Sequence, residues 1–135
     1  MVSEPPAAAD GPAALGKWGE RAAARHLRAS GYRVLYRNFR ARGGGEVDLV
    51  CRDRRESALV FVEVKTRRSE RFGRPVEAVD EAKRRLITKG AMAWLRLLDN
   101  PDVPFRFDVV EVLAEDPVKI EIVRSAFTLP SPTIY

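Results

Sequence analysis

The sequence predicts one α/β domain, a mixed sheet flanked by helices, with its elements in the order α-β-β-β-α-β-β. Three observations carry this prediction. Two stretches space their apolar residues as a helix does, near 15–29 and 76–98. Two β-prone runs, Glu46 to Arg52 and Leu59 to Lys65, are joined by the short polar loop Asp53 to Ala58, as in a hairpin. Two further β-prone runs follow the second helix, so the sheet is built from both sides of it.

Taken in order, residues 1–12 are small and polar and are expected to form a disordered tail. The first helix begins near Leu15 and turns Leu15, Trp18, Gly19, Ala22, His26 and Leu27 to one side. Ser30-Gly31 ends it, with Gly31 as the C-terminal cap. Tyr32 to Tyr36 is a short strand, and Arg42-Gly43-Gly44-Gly45 a turn. After the hairpin, Ser69 to Pro75 is a loop. The second helix is expected from about Val76 to Leu98, with Val79, Lys83, Leu86, Ile87, Gly90, Trp94 and Leu97 on one face, stopped by Asn100-Pro101. Phe105 to Leu113 is a strand, Glu115-Asp116-Pro117 a turn, and Val118 to Val123 alternates like an edge strand. Without an internal repeat or linker, residues 13–128 form a single domain and 129–135 a C-terminal tail.

Composition excludes several classes. No apolar run approaches the roughly 18 residues that cross a bilayer. The N-terminus lacks the basic start and apolar stretch of a signal peptide, so a cytoplasmic location and no membrane partner are expected. A lone cysteine, Cys51, rules out an intramolecular disulfide and a multi-cysteine zinc site, and a lone histidine, His26, rules out a histidine cluster or triad. The net charge of +5 suits a polyanionic partner such as nucleic acid, and equally a soluble arginine-rich protein. Position is more telling than the total. Arg33, Arg37, Arg40 and Arg42 lead into the hairpin, and Lys65, Arg67, Arg68, Arg71 and Arg74 follow it. Two basic clusters flank one acidic centre.

Side chains alternate between the faces of a strand. Val47, Leu49 and Cys51 in one strand and Val60, Val62 and Val64 in the next make a wholly apolar face, which is expected in the core. On the other face, a hairpin symmetric about its loop sets Arg52 opposite Leu59, Val50 opposite Phe61, Asp48 opposite Glu63 and Glu46 opposite Lys65. Opposed carboxylates about 5 Å apart repel, and apolar neighbours worsen the repulsion. A divalent cation between them removes the problem, and hard oxygen ligands favour Mg²⁺ or Mn²⁺. The alternative is a solvated ladder of charges on a polar strand face.

Asp48 followed by Glu63-Val64-Lys65 at the end of the next strand resembles the PD-(D/E)xK nuclease signature, without its proline, since Val47 precedes Asp48. More closely, the chain resembles the YraN-like family of bacterial proteins. The matching segments are Gly16-Lys17-Trp18-Gly19-Glu20 with Ala23, Asn38-Phe39-Arg40, Gly45 to Val50, Val60 to Arg67, Phe72-Gly73-Arg74-Pro75, Ala78-Val79 with Lys83, and Arg106 to Val110. That family is similar to archaeal Holliday-junction resolvases, so the resemblance implies a restriction-endonuclease-like fold. It also implies a metal-dependent endonuclease acting on DNA, branched or damaged DNA included. On this resemblance Asp48, Glu63 and the Val64 carbonyl would ligate Mg²⁺ (or Mn²⁺), and Glu20 would complete the catalytic set. Lys65 would orient the attacking water or stabilise charge on the phosphate. Arg40, Arg67, Arg74 and Lys83 would contact the nucleic-acid backbone. Cutting two strands in step calls for two active sites, which argues for a homodimer. Two alternatives stand beside the enzyme: a non-catalytic nucleic-acid-binding module and an interaction protein that retains the fold.

Overall fold

The structure is a computed structural model that describes residues 3–69 and 80–129. A short 3₁₀ turn, Ala8–Asp10, leads into α1 (Gly11–Ala29). Then come β1 (Tyr32–Arg40), β2 (Glu46–Asp53), β3 (Ala58–Arg67), α2 (Glu81–Leu97), β4 (Phe105–Leu113) and β5 (Lys119–Phe127). This is the predicted order. The strands form one five-stranded sheet in the order β1-β2-β3-β4-β5. All neighbours are antiparallel except β3 and β4, which run parallel and are connected through α2.

Several boundaries differ from expectation, each for a local reason. α1 starts at Gly11 because Pro12 fits the first turn, where its missing N–H leaves no bond unmade. The segment before it, expected as a tail, is held at two points: the Trp18 indole donates to the Ser3 carbonyl at 3.0 Å, and Arg68 donates to that of Pro6 at 3.0 Å. α2 starts at Glu81 and not at Val76, since Asp80 is extended and its carboxylate accepts the Lys83 amide at 2.8 Å, an N-cap. Positions 76–79 lie outside the described residues. β1 runs on past Tyr36 to Arg40 through Asn38, whose φ of 52° is left-handed. β5 continues past Val123 to Phe127, whose ring stacks on Phe107 with centroids 4.9 Å apart.

The sheet is buried on both sides, as a sheet flanked by helices should be. Under α1 lie Trp18, Ala23, Leu27, Leu49, Cys51, Val60, Val62 and Val110. Under α2 lie Phe39, Val47, Val50, Phe61, Ile87, Leu95, Phe107 and Val109. Val47 therefore joins Val50, not Leu49 and Cys51. In β1 likewise, Tyr36 and Phe39 both place their rings against Trp94 of α2, at 5.5 and 5.2 Å. Residues three apart cannot share a face of a regular strand. Both strands therefore change faces between these residues, at Asn38 and Asp48, which lie between the pairs Arg37↔Leu49 and Phe39↔Val47, and left-handed Asn38 is the residue that permits it.

Candidate functional site

Asp48 stands at this change of face. β2 pairs with β3 in the expected register from Asp53↔Ala58 to Leu49↔Val62. The next pair in that register is Asp48 and Glu63, and there the ladder parts. The Asp48 carboxylate reaches across and accepts the Val64 backbone N–H at 2.8 Å. The Val64 N–H thereby fixes this acid at the end of the hairpin.

Glu63 is 4% exposed. Burial first, then the Asp48 charge and a hydrogen bond shared with Asp48, push its pKa up to about 8; Lys83 and Lys65 oppose the rise. The half-buried Asp48 carboxylate thus lies against the buried Glu63 and favours the protonated form of Glu63. Lys65 is half-buried two residues on, on the same side of β3.

The two helices bring further groups. A Cβ on Gly19 would overlap the Thr66 side chain, so α1 packs tightly on the end of β3 and delivers its neighbour, Glu20. Burial and then Asp48 raise the pKa of Glu20, while the Asn38 amide, hydrogen-bonded to it, and Arg40 and Arg37 draw it down. Glu20 and Asp48 line one cleft of 240 Å³ with Lys17, Arg21, Arg37 and Asn38. On the opposite side α2 lies equally close: a Cβ on Gly90 would come within 2.9 Å of the Glu46 backbone nitrogen. This helix supplies Lys83, whose Nζ lies 2.7 Å from Glu46 and 3.7 Å from Glu63. Burial works against the Lys83 ammonium, but the Glu46 hydrogen bond and the charges of Glu63, Glu46 and Asp48 outweigh it and raise its pKa. Glu46 is held below its ordinary value, chiefly by that bond.

Asp48, Glu63, Lys65, Glu20 and Lys83 therefore converge. Glu46 pairs with Lys83 and, at 3.4 Å, with Arg40, and not with Lys65 as the hairpin suggested. Arg40 lies exposed at the rim. Arg67 is half-buried at the end of β3, where its carbonyl accepts the Ala114 amide at 2.7 Å. Arg74 and Phe72 lie outside the described residues. Phe39 is buried under α2 and is no stacking platform for bases. Asn38 escaped the sequence reading, although an asparagine inside a β-prone run is a signal for a left-handed kink. So did a second ionic network at the far end of the sheet, where Arg106 bonds Asp53 (2.9 Å), Asp108 (3.0 Å), Glu56 (2.9 Å) and the Tyr32 hydroxyl (2.9 Å).

Among the described residues no three His, Cys, Asp or Glu side chains are close enough to form a ready-made metal cluster. The donor chemistry nevertheless fits a hard divalent cation. Buried Glu63 lies against half-buried Asp48, their mutual repulsion is only partly offset by ammonium groups, and Glu20 shares the cleft with Asp48.

The uncharacterised protein family UPF0102 matches residues 19–112, which include every member of this constellation. The chain belongs to that family. A UPF0102 protein of Trichlorobacter lovleyi is 48% identical over 118 residues, covering 86% of this chain and 91% of the relative. One from Geobacter sulfurreducens is 49% identical over 117 residues, 85% of this chain and 89% of the relative. One from Nocardia farcinica is 51% identical over 100 residues, 74% of this chain and 76% of the relative. Among the described residues of this UPF0102 member, no helix is long and apolar enough to cross a membrane.

Proposed function

We propose that this UPF0102 protein is a metal-dependent endonuclease of the PD-(D/E)xK type that hydrolyses phosphodiester bonds of DNA. The observation that carries the reading is the buried Glu63 carboxylate set against half-buried Asp48, with Lys65 beside them. A purely structural strand end has no use for two adjacent carboxylates, one of them buried with its pKa pushed up to about 8.

Asp48 and Glu63 would hold Mg²⁺ or Mn²⁺, with Glu20 across the cleft. The bound cation would supply Lewis-acid polarisation of the phosphate and a more acidic water. The rest belongs to the chain. The Val64 amide fixes the orientation of Asp48. Asn38 fixes that of Glu20. Lys83 steadies Glu63 and Glu46 and balances the acidic charge from the α2 side. Lys65, half-buried two residues along β3 from Glu63, would donate to a phosphate oxygen or to the attacking water. Arg40 at the rim and Arg37 in the cleft attract the polyanion.

The test is cleavage of labelled linear, flapped and four-way DNA in Mg²⁺, Mn²⁺ or EDTA, beside Asp48→Asn. The amide oxygen of asparagine still accepts the Val64 N–H, so the variant keeps the local fold while removing the charge. Cleavage that needs metal and disappears in the variant supports the reading. Cleavage that survives the variant, or wild-type protein that binds DNA but cuts none of these substrates, overturns it.

A further inference from the structure

Beyond Arg40 the surface opens into a second cleft that the proposed chemistry does not use. It lies between the β1–β2 turn and the C-terminal half of α2, and its volume is 460 Å³. The turn is locked onto the helix. Gly45, at φ +144°, sits where a Cβ would come within 2.6 Å of the Gly90 nitrogen, and Lys89 donates to the Gly43 carbonyl at 3.1 Å. Four cations line the cleft: Arg40, Arg42, Lys89 and Arg96, above a floor that includes Phe39 and Ala93.

Two of the four cations have an ordinary explanation. Arg96 in the last turn of α2 complements the negative end of the helix. Arg40 pairs with Glu46. Neither explanation serves Arg42, which is exposed in the turn, or Lys89, whose bond is to a neutral carbonyl. A concave surface lined by one sign of charge gathers a polyanion. Its apolar floor suits the sugar face of a nucleic-acid strand better than it suits a small, fully hydrated ion. A chain of ion pairs links the cleft to the candidate site: Arg40 binds Glu46, Glu46 binds Lys83, and Lys83 approaches Glu63.

We propose that this cleft seats the sugar-phosphate backbone of the DNA strand next to the phosphodiester that is cut, with Arg42, Lys89 and Arg96 neutralising phosphates that are not cleaved. The proposal rests on the nuclease reading for its substrate, yet its test does not need cleavage. The strand then runs over the β1–β2 turn and α2, and not over the N-terminal turns of α1.

The experiment measures fluorescence anisotropy of a labelled DNA duplex at several salt concentrations in EDTA, for wild type and for Arg42→Gln/Arg96→Gln. Both side chains are exposed, and urea melts check that the fold is intact. Loss of two phosphate contacts reduces the slope of log K against log salt by about 1.8 and weakens binding about 60-fold at 0.1 M salt. An unchanged slope overturns the proposal. Polyglutamate of matching charge is expected to compete poorly; equal competition overturns it in favour of an acidic protein partner. If the slope falls as expected but wild type cleaves nothing in Mg²⁺, the cleft stands and the nuclease reading alone fails. If wild type cleaves and the double variant keeps both its slope and its KM, the cleft alone fails.

Discussion

Removing the charge of Glu63 should make the metal-free protein more stable at alkaline pH, and less sensitive to pH. Burial and Asp48 push Glu63 from the ordinary carboxylate value of 4.5 up to about 8 in the folded chain. On unfolding it returns to the ordinary value. Between these two pH values the folded state binds the proton more tightly than the unfolded state, so stability falls as pH rises. Below the lower value both states hold the proton and the whole contribution is present. Above about 8 both states are ionised and it is gone. A difference of this size is worth on the order of 5 kcal/mol, at about 1.4 kcal/mol per pH unit. That is a large part of the roughly 5–15 kcal/mol that holds a domain together. At about 2 kcal/mol per M, the urea midpoint should fall by about 2 M between pH 5 and pH 9 in EDTA. Glu20, raised by burial and by Asp48, adds to the slope in the same direction. At the acid end the signs reverse: Asp53 and Glu46 are held below their ordinary values, so their contributions are lost as pH falls through the folded values. Glu63→Gln should flatten most of the slope above pH 5 and exceed wild type at pH 9. Mg²⁺ at 100 times its Kd should restore about 2.7 kcal/mol to wild type at pH 9 and much less to the variant. A flat wild-type profile in EDTA, or a variant that keeps the full slope, refutes the argument from burial and repulsion.

Arg106→Ala should destabilise the fold by about 3 kcal/mol, read as a drop in the urea midpoint, because it strands the buried carboxylates of Asp53 and Asp108, 1% and 0% exposed. Gly45→Ala should cost about 1–3 kcal/mol by the same measurement: the new Cβ meets the α2 backbone and the positive φ strains any L side chain. A midpoint within about 0.5 kcal/mol of wild type would show that the turn is not locked onto α2 as described.

The elements whose signal is local were read correctly from the residues. The hairpin register followed from counting outwards from a short loop, and it holds as far as Leu49↔Val62. Gly31, at φ 95°, ends α1 as its composition suggested. The expectations that differed depended on partners distant in sequence. Val47 alternates with Leu49 on paper, yet it packs under α2 because Asn38, in the next strand, allows both strands to change faces. The start of α2 turned on whether Asp80 would continue a helix or cap one. The pairing of Glu46 depended on a lysine 37 residues away.

By itself, the sequence determined the order of the elements, the pairing of Asp48 with Glu63, and the placing of Lys65 beside them. The last two follow from a period of two along two strands joined by a short loop, and the first from helical and strand spacing along the rest of the chain. Tertiary structure alone decided the environment of that pair. Gly19 brings α1 close enough to add Glu20, Gly90 brings α2 close enough to add Lys83, and the change of face at Asn38 leaves Asp48 within reach of both helices. The physical reason is that proton affinity and charge balance depend on distance and burial, and both are set by packing between segments far apart in the chain.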